Sequence, residues 1–83
     1  MVYRDVRCGL LHGLHLLAAV ELVRVARGFD ARVSLRTRRG TFDAKNPLDI
    51  TKAFIRKGDI VTVVSEGEDE RDAARECAHY IEG

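Results

Sequence analysis

The sequence predicts an α+β fold of two layers, with one antiparallel sheet covered by helices on one side. Two observations carry this. Strand-like segments alternate apolar and polar residues with a period of two, and helical segments repeat their apolar residues at steps of three and four. At 83 residues, 46% hydrophobic and 33% charged, the chain is expected to be one domain spanning residues 1–83. A chain of that size buries about 60–65% of its unfolded surface.

Each element has its own local signal. Val2, Val6 and Cys8 share a parity among the polar Arg4, Asp5 and Arg7, as in a half-buried strand. Residues 16–27 form a helix whose apolar stripe reads Leu16, Ala19, Val20, Val23 and Ala26/Arg27, with Glu21 and Arg24 outside it and Gly28 at the C′ position. From Ala31 to Thr37, Val33 and Leu35 alternate with Arg32, Ser34 and Arg36. Arg38-Arg39-Gly40 then turns the chain into Thr41-Phe42-Asp43, completing a hairpin. Asn46 followed by Pro47 is an N-cap with proline at the first helical position, opening a short helix before Arg56-Lys57-Gly58. "DIVTVVSE", Asp59–Glu66, carries Ile60, Val61, Val63 and Val64 and reads as a central strand. After Gly67, Asp69 is placed to cap a last helix with Asp72 at its third position, and Ala73, Ala74, Cys77, Tyr80 and Ile81 form its inward stripe.

Composition narrows the function classes. A net charge of +1 without a long Lys/Arg run gives no nucleic-acid footprint, and the one close basic cluster, Arg36, Arg38 and Arg39, reads as a solvated hairpin. The longest apolar run, Leu14–Val20, is interrupted by His15 and closed by Glu21, short of the ~20 residues a membrane span needs. Arg4, Asp5 and Arg7 break any signal peptide, so a cytoplasmic protein with no membrane partner is expected. In that reducing compartment Cys8 and Cys77 read as small buried apolar groups rather than a disulfide.

One residue breaks the local rules. His15 stands where a helix is normally capped by Ser, Thr, Asp or Asn. A helix start carries partial positive charge and free N–H groups, which disfavour an imidazolium and favour an anion. A neutral imidazole is a nucleophile, and a phosphoryl group taken onto it would meet the backbone N–H groups of Leu16 and Leu17. Two other readings stay open at this point: a histidine that only hydrogen-bonds, and a metal site built on His12, His15 and Cys8, which lacks a further ligand. His79 reads as a surface residue of the last helix.

Five stretches, "GLH" at 13–15, "GFDARVSLR", "DAKNPLDI", "KGDIVTV" and "GEDERDAA", together resemble the HPr phosphocarriers of the bacterial sugar phosphotransferase system over nearly the whole length. The resemblance implies an open-faced β-sandwich, βαββαβα, with strand order 1-4-2-3 and three helices on one face. It implies that His15 is the histidine phosphorylated on Nδ1, receiving the group from enzyme I phosphohistidine and passing it to enzyme IIA-type or regulatory partners. Such a protein is a carrier, not an enzyme, and needs no metal or cofactor. The departures lie at the site. The family pattern G-[IL]-H-A-R-P-A is replaced by Gly13-Leu14-His15-Leu16-Leu17-Ala18-Ala19, so the arginine and proline are absent. Arg56 and Lys57 are the candidates to supply the missing cation. Leu48, Thr51, Lys52, Phe54 and Ile55 form the expected docking face, remodelled because Asp49 and Phe54 replace family glycines and Lys52 adds charge. Phe54 is placed either to cover the His15 ring or to close the short helix as a core aromatic. Asn46 stands where many Gram-positive relatives carry a regulatory serine, and an amide cannot take that phosphate. The alternative to a carrier is a non-catalytic HPr-like binding module.

Overall fold

A computed structural model describes residues 1–83. The elements follow in the order β1 (Val2–Arg7), α1 (Leu16–Arg27), β2 (Arg32–Thr37), β3 (Gly40–Asp43), α2 (Pro47–Lys52), β4 (Ile60–Glu66) and α3 (Glu70–Glu82). The strands form one antiparallel sheet in the order β1-β4-β2-β3, with the three helices on one face.

The period-two patterns decide which side is buried. Val33 and Leu35 of β2 pair with Ser65 and Val63 of β4 and point with them, and with Val61, into the helical layer. Ser65 is the one buried polar residue, and its hydroxyl donates to the Glu70 carbonyl at the start of α3. The opposite face is open and polar: Thr62 donates to the Asp5 carboxylate, and the Arg36 guanidinium sits 5.4 Å from the Tyr3 ring centroid.

The helical layer departs from the sequence reading in four places. In α1 the buried residues are Ala19, Leu22, Val23 and Ala26, whereas Leu16 and Val20 are exposed. The stripe is rotated toward Leu22 because α1 packs beside α2 and α3, leaving its N-terminal turn outside the core. Gly28 ends α1 in a right-handed conformation, φ −72°, with its N–H bonded to Val25 O, so no left-handed cap is used there. Asp69 stands at the start of α3 but does not cap it. Its carboxylate accepts from the backbone N–H groups of Asp30 (2.9 Å) and Ala31 (2.8 Å), tying α3 to the entry of β2. Those two bonds, Asp30's foremost, hold its carboxyl below the ordinary value. On α3 the inward stripe is Ala73, Ala74, Cys77, Ala78 and Ile81, with Tyr80 half-buried at its edge.

Cys8 and Cys77 are both free and buried; desolvation raises both thiols, that of Cys77 to about 11. Asn46 caps α2 as its sequence indicates, its side-chain oxygen accepting from Leu48 N–H at 3.0 Å and Asp49 N–H at 3.2 Å. No helix is long and apolar enough to cross a membrane.

Candidate functional site

Two backbone segments are pressed together to build the site. Gly13, at φ +70°, lies so close to the loop after α2 that a Cβ there would stand 2.3 Å from Ile55 O. The next residue locks the contact: Leu14 N–H donates to Ile55 O at 3.0 Å, and the Leu14 side chain is fully buried. His15 follows immediately, in extended conformation at φ −81°, ψ −171°, as the N-cap of α1. The glycine of "GLH" therefore serves close backbone approach, and the histidine is held by its neighbours rather than by its ring.

That ring is exposed and makes no capping bond. The carbonyl of His15 accepts from Ala19 N–H at 2.8 Å. The N–H groups of Leu16 and Leu17 precede the first intrahelical bond and have no backbone acceptor, and no acidic residue stands in the first turn to answer them. Free donors, a helix start and an exposed imidazole are thus adjoining. His12, also exposed, approaches edge-on with its ring centroid 5.8 Å from that of His15.

His12, Leu14, His15, Leu16, Thr51, Phe54, Ile55 and Arg56 line an open groove of about 410 Å³. Arg56 shares this groove, and its side chain has no carboxylate partner. Lys57 is exposed but does not line it. On the far side His15 borders a second depression with Leu17 and Glu21, so the two leucines flank the ring.

Of the expected docking residues, Leu48 (68%), Phe54 (66%) and Lys52 are exposed, and Thr51 is half-buried with its hydroxyl donating to Leu48 O. Ile55 is not available: its side chain belongs to the core, and only its carbonyl serves the site. Phe54 neither covers the ring nor enters the core; it forms one wall of the groove, with the Arg39 guanidinium 5.7 Å from its ring centroid.

Phe54 also explains a family glycine. It is the one non-glycine residue at positive φ, +51°, a conformation that costs an L-residue about 1–2 kcal/mol. The chain itself carries no glycine to mark the turn, and only the family glycine at this position points to it. Asp49 has no such backbone, and its carboxylate accepts from Asp43 N–H at 2.6 Å.

Of the three residues of the metal reading, Cys8 is buried in the core while His12 and His15 are exposed, and no three His, Cys, Asp or Glu side chains come together. His79 is exposed beside Arg4 and Arg75 on another face.

A family model described as the PTS HPr component phosphorylation site matches residues 2–83. Phosphocarrier protein HPr of Buchnera aphidicola subsp. Schizaphis graminum is 29% identical over 81 residues, covering 98% of this chain and 95% of that protein. The phosphoryl donor subunit DhaM of the PEP-dependent dihydroxyacetone kinase of Providencia stuartii is 38% identical over 61 residues, which are 74% of this chain but only 13% of DhaM. The crystal structure of a phosphocarrier protein HPr from Bacillus anthracis superposes with a TM-score of 0.92 at 29% identity, covering 96% of this chain and 95% of that one.

Proposed function

The chain belongs to the HPr family, whose general role is phosphotransfer by a carrier rather than catalysis, and from that premise we propose that His15 accepts and donates a phosphoryl group. The observation that carries the reading is the exposed His15 ring at a helix start whose first N–H groups are unanswered. In the transfer, a lone pair of the neutral His15 ring attacks phosphorus of a donor protein's phosphohistidine. The donor N–P bond breaks, its electron pair returns to the donor imidazole, and a new N–P bond forms at His15. The phosphoryl oxygens then face Leu16 and Leu17 N–H, and the Arg56 guanidinium, lining the same groove, supplies part of the charge that the family's arginine brings next to the histidine. Enzyme I-like proteins are the donors, enzyme IIA-like or regulatory proteins the acceptors. Phosphoenolpyruvate as ultimate donor is supported by the name of the DhaM relative.

The absence of a guanidinium at Leu17 leaves a measurable deficit. A hydrogen bond to a charged group is worth about 1.5–3 kcal/mol, so transfer is expected to run about 10–100-fold slower than in a carrier with the arginine. Incubation with enzyme I and phosphoenolpyruvate, then acid-labile phosphate mapping, tests the proposal: label is expected on His15 and none on His15→Ala. A chain that stays unlabelled where an ordinary HPr is labelled overturns it. Leu17 and Phe54, both exposed where family members present other residues, favour the second reading, a binding module without transfer. That reading is supported if His15→Ala keeps full partner affinity and cellular activity.

A further inference from the structure

The hairpin arginines, which read as solvated in the sequence, acquire a neighbour in the fold. Arg38 and Arg39, at the β2–β3 turn, line a pocket of about 340 Å³ with Arg56 and Asp59 from the loop between α2 and β4. From this clustering of guanidiniums over an apolar floor we infer that the pocket is a binding site for a small phosphomonoester, one that shares Arg56 with the groove of His15 but does not include the histidine.

Charge and shape both favour that class. Three arginines against one aspartate leave the lining with a formal surplus of two positive charges, in a chain whose total is +1. None of the three guanidiniums has a carboxylate within ion-pair distance, unlike Arg24 with Glu21 and Arg75 with Asp72 and Glu76. The Asp59 carboxylate accepts from the Arg56 backbone N–H at 2.9 Å and keeps its negative charge, which the surplus of two already includes. Arg39 is braced against the Phe54 ring, which reduces the freedom lost on closing over a ligand. A phosphomonoester dianion matches the surplus, and arginine forks match its oxygens in pairs. The floor's accessible apolar surface for a carbon skeleton comes from Ile60, 51% exposed, since Ala53 and Ile55 are buried, and Thr37 also lines the pocket. The volume lies at the lower end of small-molecule pockets, about 300–1,000 Å³, fitting a sugar phosphate rather than a nucleotide.

The site does not rest on His15 being phosphorylated. The test is an amide NMR titration of the intact chain with a hexose 6-phosphate, with inorganic phosphate and with the unphosphorylated hexose. Saturable shifts are expected at residues 37–39 and 56–60 with hexose phosphate, weaker ones with phosphate, and none with hexose. The double variant Arg38→Gln/Arg39→Gln, confined to an exposed turn, is expected to weaken binding at least tenfold. Arg32→Gln, an exposed arginine outside the pocket, and His15→Ala are expected to leave it unchanged. Equal affinity in the double variant, or shifts centred on residues 15–18, overturns the inference. Equal binding of phosphate and hexose phosphate would overturn the role of the floor and leave a plain anion site.

Discussion

Leu22 and Leu17 belong to the same helix and meet opposite surroundings. Leu22 is fully buried between the helices and the sheet, whereas Leu17 is 74% exposed beside His15. The inner part of α1 is held by packing, and its first turn by the Gly13–Ile55 backbone contact. Stability and the proposed chemistry therefore fall on different residues of one element, and the first turn can change composition without loosening the core. The exchange of the family's arginine for leucine fell in that permissive region.

The contrast can be broken most directly by making the same substitution at both positions. Leu22→Ala is expected to cost about 2–5 kcal/mol, as for a large buried side chain that leaves a cavity, while Leu17→Ala stays within about 0.5 kcal/mol. Urea unfolding monitored by circular dichroism checks both, and a loss of more than 1.5 kcal/mol at Leu17, roughly three times that range, would show the first turn to be structural.

Leu17→Arg sharpens the other half of the comparison. It is expected to raise the rate of His15 phosphorylation about 10–100-fold, with the unfolding midpoint nearly unmoved. Should the rate stay flat while Arg56→Gln abolishes transfer, Arg56 already supplies the full cation contribution.

Phe54→Gly is smaller. Relief of the left-handed strain is worth about 1–2 kcal/mol. Against it stand the lost cation contact, worth about 0.5–1 kcal/mol when exposed, and the greater freedom of glycine in the unfolded chain. A net gain below about 1 kcal/mol is expected, together with a wider groove, seen as faster modification of His15 by diethyl pyrocarbonate. A destabilised Phe54→Gly would mean that the ring closes the core after all.

Asp69 gives the smallest effect, visible through pH. Its folded-state value is depressed by the N–H groups of Asp30 and Ala31, so its contribution is complete above the ordinary value of 3.8 and is lost as pH falls below that through the folded value. Asp69→Asn is expected to lower the unfolding temperature at pH 7 and to flatten this acid limb between pH 5 and pH 2, the variant and the parent converging at the acid end. An unchanged limb would assign the acid sensitivity to other carboxylates.

Much of the architecture was legible because its signals are local. The alternation of Val33 and Leu35, the Asn46-Pro47 cap and the β-branched run of β4 each describe a segment that looks the same in isolation and in the fold. His15 was legible as an anomaly, a poor capping residue at a helix start, and "GLH" with four further stretches placed it in a family. What sequence could not reach is whatever needs two distant segments in one place. Leu22 replaces Leu16 in the core because α2 and α3 decide which side of α1 is covered. The Asp69 carboxylate bonds the N–H groups of Asp30 and Ala31 instead of its own helix, and only the fold brings those donors to it. Phe54 is forced left-handed by the path of the loop, and Arg56 comes beside the hairpin arginines only once the sheet is assembled. Periodicity and capping are properties of neighbours along the chain; the face a helix buries and the company a charge keeps depend on contacts across it, and tertiary packing alone sets those.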